Sequence, residues 1–126
     1  MAAAPGIREA APDRGQGRAG GARPALDFWF EFASTYSWLS VERIGKVAAA
    51  RGVAVTWRPF LLGPVFKSQG LETSPFVTNP IKGRYMWRDL ERRAQARGLS
   101  FRQPTLFPQN GLMAARVAMA ALAHPG

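Results

Sequence analysis

The chain has 126 residues, 47% of them apolar, which fits one domain with a modest core and not a disordered tract. It has no cysteine and one histidine, His124, which excludes disulfide staples and a redox dithiol and leaves almost no material for a metal site or a serine–histidine pair. The net charge of +9 is mostly arginine scattered along the chain, which suits ordinary surface charge or an anionic small molecule better than nucleic acid, and no apolar run approaches the roughly 18 residues of a membrane span.

Residues 1–25 are rich in alanine, glycine, proline and arginine and show no period. They read as a disordered leader, or as a start assigned too early. The segment lacks the apolar core of a secretory signal, and Glu9 and Asp13 weaken a transit-peptide reading, so the expected location is cytoplasmic. Ordered structure is expected from Leu26. Leu26, Phe28, Phe30 and Phe32 alternate with Asp27, Trp29 and Glu31, the period of a strand. Ala33-Ser34-Thr35 breaks that period, and a helix opens near Tyr36 or Ser37. Val41, Ile44, Val47 and Ala48 share one face of it, and Glu42 and Lys46 stand one turn apart on another. Gly52 is placed as a left-handed stop. Val53 to Arg58 follows as a second strand, so the unit is βαβ with parallel pairing.

Past this unit, Pro59–Pro64 is an apolar, turn-rich segment and Val65–Gln69 a short helical turn. Gly70–Pro80 reads as a loop. A second helix is expected from Ile81 to Arg97, stopping at Gly98. Tyr85, Met86, Leu90 and Ala94 form its apolar set, and Arg84, Arg88, Asp89, Glu91, Arg92 and Arg93 lie on its other faces. Leu99–Asn110 is irregular. Asn110 is placed to cap a third helix, GLMAARVAMAALAH, so apolar that it calls for burial on most sides. Two parallel strands offer too little sheet to cover three helices. The chain therefore reads as an N-terminal portion of a longer α/β fold, with the βαβ unit over 26–66 and a helical region over 81–124.

The chemistry available lies at the first strand-to-helix turn, where such folds place reactive centres. Ser34, Thr35 and Ser37 are good helix caps, and capping contributes about 1 kcal/mol. Ser34 also stands where a helix N-terminus offers free N–H groups and partial positive charge to an anion. For a bound thiol of pKa about 8.5, roughly 3% is ionised at pH 7. Dipole and hydroxyl together worth about 2 kcal/mol would lower that pKa by about 1.5, leaving about half as thiolate. Such a gain needs no base.

The stretches DFWFEFASTYSWL, WRPFLLGPVF, KGRYMWRDLERRA and FPQNGLMAARVA, in this order, resemble the glutathione-dependent 2-hydroxychromene-2-carboxylate isomerases. These belong to the kappa-class glutathione transferase group, in the DsbA-like branch of the thioredoxin fold. The resemblance covers about Leu26 to Ala123. It implies a thioredoxin-like domain (residues 26–126, partial) interrupted by a helical insertion, of which 81–124 is part. It implies glutathione as co-substrate, with Ser34 stabilising its thiolate and Lys82 helping to hold it. It also implies a small aromatic carboxylate as substrate, opened by thiolate addition, rotated and released by elimination. Lys82, Arg84 or Arg88 would steer its carboxylate, with Tyr36 and Asn110 near it. A metal, nucleic acid or membrane has no part in this reading, and a homodimer is left open.

The chain departs from the family pattern at several points. Thr35 replaces the usual proline after the serine. The family's asparagine before the lysine has no counterpart: Glu72 stands near its place and Asn79 is too close to Lys82. The Val-Pro-Thr segment that completes the glutathione site is not in the sequence. Serine in place of the redox cysteine excludes a dithiol oxidase. Besides the isomerase, the readings left open are a kappa-like transferase or peroxidase, an inactive truncated product, and a basic nucleic-acid module.

Overall fold

The structure, a computed structural model, describes residues 23–124. The leader expected over 1–25 lies outside the described residues as far as position 22. Strand β1 (Ala25–Phe30) and strand β2 (Ala54–Pro59) pair in parallel, from Ala25 opposite Ala54 to Phe30 opposite Pro59. Helix α1 (Thr35–Ala49) joins them, which is the expected βαβ unit. On one sheet face Trp57 meets Phe28 and Phe30 edge-on, at 5.5 and 5.7 Å between centroids. On the other, Arg58 pairs with Asp27 at 3.0 Å. Gly52 takes φ 67°, where a side chain would be strained, and returns the chain so that the Val53 N–H reaches the Ala48 carbonyl at 2.9 Å.

The strand stops two residues before its sequence alternation does. Pairing ends at Phe30, and beyond it Glu31 turns inward with 6% exposure while Phe32 is exposed, the reverse of the alternation. The cause is local. Each of the next turn's amides needs an acceptor, and the Glu31 carboxylate and carbonyl supply two of them, to Ala33 and Ser34. The Glu42–Lys46 pair that the spacing allows is not formed among the ion pairs of the described residues.

Helix α2 (Leu62–Ser68) is longer than the single turn expected, because Pro64 sits in its first turn, where an amide is not required. The segment Gly70–Pro80 is not wholly loop: Ser74 caps a one-turn helix α3 (Pro75–Thr78), accepting the Phe76 N–H at 3.3 Å. Asn79 then caps helix α4 (Pro80–Gln95), accepting the Lys82 N–H at 3.0 Å, with Pro80 at the first helical position. Gly98, at φ 66°, closes it as expected. Gly83 abuts the Phe76 carbonyl so closely that a Cβ would have no room, which fixes α3 on α4.

The main core cluster lies between α1 and α4, and on the sheet only Phe30 is buried. Leu39, Met86 and Leu90 form its centre, with Tyr36, Trp38, Phe76, Trp87, Phe101 and Phe107 packed around them. Burying each of the three contributes about 1.5–3 kcal/mol. Tyr85, grouped with this face by sequence, is 65% exposed, since it lies about 100° around the helix from Met86. Asp89 makes the opposite correction: it is buried, on the α1 side. Helix α5 (Leu112–Ala123) lies beside β2, yet only Ala115 of it is buried. The expected burial on most sides is not met, and Met113, Val117 and Met119 are exposed. Gly111 takes the cap position, while Asn110 accepts the Leu112 N–H at 3.0 Å from one residue earlier.

Candidate functional site

The turn from β1 into α1 is held by a short set of hydrogen bonds. The Ser34 N–H donates to the Glu31 carbonyl at 3.1 Å, and the Trp38 N–H donates to the Ser34 carbonyl at 3.3 Å. Ser34 Oγ accepts the Ser37 N–H at 3.3 Å. The first-turn amides of Thr35 and Tyr36 have no partner within a helix. They point the positive end of α1 out of the turn.

Of the three hydroxyls at this turn, only that of Thr35 donates within the chain, and of the two serines only Ser34 borders a cleft. Thr35 Oγ1 donates to Met86 Sδ at 3.2 Å, and Ser37 Oγ accepts the Glu31 N–H at 3.4 Å. Ser34 uses its oxygen only as an acceptor, so its proton is left to donate. Ser34 borders a cleft of about 460 Å³, within the range of small-ligand sites. Tyr36 stands beside it on α1. The opposite walls come from α2, from Glu72–Ser74, from Phe76, and from Phe107–Gly111. Ser34 and Thr35 also border a second cleft of about 370 Å³ on their other side. That one is walled by Trp38, Trp87, Phe101 and Phe107, and Arg102 is the one charged residue on it among the described residues.

A part-buried relay ties this turn to α4. Tyr36 OH donates to Asp89 Oδ2 at 3.0 Å, and Arg93 Nε donates to the same oxygen at 2.7 Å. The Arg93 hydrogen bond holds the Asp89 carboxyl below its usual range, assisted by the Tyr36 bond and by Arg92. Burial, then the bond to Asp89, pushes the Tyr36 phenol up. A raised phenol remains a proton donor, which keeps the Tyr36 ring fixed in the cleft wall.

The sequence-derived residues are distributed unevenly over this site. Ser34, Tyr36 and Asn110 line the cleft. Lys82 does not: its ammonium stands 5.6 Å from the ring centroid of Phe76, which is itself a wall residue. Arg84 and Arg88 are likewise absent from both clefts, and Arg88 pairs with Glu91 at 2.6 Å. Sequence reasoning missed Glu31 and Lys67 on the wall. The early break of the alternation after Phe30 marks Glu31; nothing in the sequence marks Lys67. Among the described residues no group of histidine, cysteine, aspartate and glutamate is arranged to hold a metal.

The family model described as a DSBA-like thioredoxin domain matches residues 25–125. Kappa 1 glutathione S-transferase from Caenorhabditis elegans is 33% identical over 85 residues, which is 67% of this chain and 37% of that protein. A solved structure of a 2-hydroxychromene-2-carboxylate isomerase aligns with a TM-score of 0.58 at 23% identity. It covers 78% of this chain and 54% of the isomerase chain. The chain thus spans little more than a third of the first relative's length and about half of the second's.

Proposed function

The chain belongs to the DsbA-like thioredoxin domain family, and on that premise we propose that it is a glutathione-dependent enzyme, acting as an isomerase on a 2-hydroxychromene-2-carboxylate or a similar aromatic carboxylate. The observation that carries this reading is the free Ser34 proton at the mouth of α1, beside open amides and on the edge of a cleft of ligand size. Glutathione, when bound, supplies a sulfur nucleophile. The residues present fit such a guest: the cleft has the volume, the turn has anion-stabilising donors, and Lys67 offers a cation to a carboxylate.

The chain's own part is to bind, orient and keep a negative charge stable. Ser34 donates to the sulfur, and the Thr35 and Tyr36 amides add the positive end of the helix. The Tyr36–Asp89–Arg93 relay holds that mouth rigid against α4. The aromatic cleft on the other side of Ser34 suits a flat ring, with Arg102 for its carboxylate. Lys82 is proposed as a second group holding glutathione. Its ammonium must swing away from Phe76 to do so, a rotation open to an exposed lysine.

The test is glutathione-dependent isomerisation of the chromene carboxylate by the purified protein, alongside Ser34→Ala. Turnover lost with Ser34→Ala is expected; turnover that does not need glutathione would refute the proposal. A second reading, a kappa-like transferase or peroxidase, is favoured by the 33% identity to the nematode enzyme. Conjugation of chlorodinitrobenzene without chromene isomerisation would select it.

A further inference from the structure

Thr35 stands between Ser34 and Tyr36, and its side chain has a distant partner. A threonine in a helix often returns its hydroxyl to a carbonyl three or four residues back. Thr35 Oγ1 does not close on its own turn; it donates to Met86 Sδ at 3.2 Å, across 51 positions of sequence. A thioether is a weak acceptor, so this bond adds little to stability. What it adds is position. Met86 is fully buried and packed with Leu39 and Leu90, so its sulfur is as fixed as the core itself.

The bond to Met86 is the second of two. Tyr36, the next residue on α1, donates to Asp89, which stands about one turn beyond Met86 on α4. A single bond leaves the first turn of α1 free to swivel about it. Two bonds from consecutive residues, ending a turn apart, do not. Threonine does not fix φ as proline does, so the local chain leaves this turn adjustable and the hold comes from α4.

We propose that Thr35 and Met86 are positioning residues, whose mutual bond fixes the first turn of α1 so that the Ser34 hydroxyl and the Thr35 and Tyr36 amides converge on the sulfur of glutathione. This rests on the glutathione reading given above, and it assigns neither side chain a contact with the sulfur.

The thiolate absorbance of bound glutathione, titrated across pH, tests this in three conservative variants and one double variant. Thr35→Val keeps the shape and loses the hydroxyl, Met86→Leu keeps the volume and loses the acceptor, and Thr35→Ser keeps the hydroxyl. Thr35→Val and Met86→Leu should each raise the pKa of the bound thiol by about 0.5, the share that a well-placed helix end supplies. The double variant should go no further than either alone, since all three proteins lack the same bond. Thr35→Ser should leave the thiol where it is in the unsubstituted protein. A melting temperature that falls in Thr35→Val or Met86→Leu while the thiol stays in place overturns the proposal, as does an unmoved thiol in either variant with no change in melting. Additive shifts in the double variant, or a shift in Thr35→Ser equal to that in Thr35→Val, overturn it as well. A thiol pKa that falls in Met86→Leu overturns it in another way, by showing that the released Thr35 hydroxyl serves the sulfur itself. Glutathione that does not bind the unsubstituted protein, or binds with the acidity of the free thiol, overturns the underlying glutathione reading instead.

Discussion

Tyr36, in the first turn of α1, donates its phenol proton to Asp89, three turns into α4, and the two are 3.0 Å apart. The helix that presents Ser34 is thereby fastened to the helix that carries most of the core. Arg93 completes the arrangement by neutralising the carboxylate from the next turn of α4.

This fastening sets a pH dependence. The Asp89 carboxyl is held below its usual range of about 4. Its stabilising contribution is present above that value and is lost as pH falls through the lowered one. The Tyr36 phenol is raised, so its contribution is present below about 10 and is lost as pH rises through the raised value. Asp89→Asn should melt at a lower temperature than the unsubstituted protein at pH 7, and the gap should be narrower at pH 3. Thermal melts at both pH values check this. An equal gap at the two would mean that Asp89 is not charged in the fold.

The core between α1 and α4 predicts where truncation is costly. Leu90 is fully buried between Leu39 and Met86. Leu90→Ala should destabilise the chain by about 2–5 kcal/mol, read from denaturant unfolding. Leu122→Ala, on the exposed side of α5, should cost less than about 1 kcal/mol by the same measurement.

The two lysines make opposing predictions. Lys67 lines the cleft, whereas Lys82 stands behind Phe76. If both hold glutathione, Lys67→Ala should weaken its binding more than Lys82→Ala does, the former by about 3- to 10-fold. Fluorescence titration of the two variants decides it. A larger loss with Lys82→Ala would mean that the bound arrangement at Phe76 differs from the free one.

Much of the βαβ unit was legible because period, turn and glycine stop agree with one another. The alternation from Leu26, the break at Ala33, and Gly52 each mark one boundary. What the sequence hid was long-range pairing. Asp89 reads as one more charge on an arginine-rich face, and only Tyr36, 53 positions earlier, explains why it is buried. Glu31 was misplaced because alternation cannot show where a strand's partner ends. Here pairing ends at Pro59, and the carboxylate is drawn in to serve the turn. Ser34 was visible as a cap, but the engagement of Thr35 with Met86, and the cleft that reaches Ser34 and not Ser37, were not.

The most direct measurement is the ionisation of glutathione bound to the protein, followed by thiolate absorbance across pH, in the unsubstituted chain and in Ser34→Ala. One donated hydrogen bond and a helix end should bring the bound thiol to about pH 7, some 1.5 below the free value. Removing the hydroxyl should return at least half of that displacement. A bound thiol that titrates at the same pH with and without the Ser34 oxygen would contradict the account at its base.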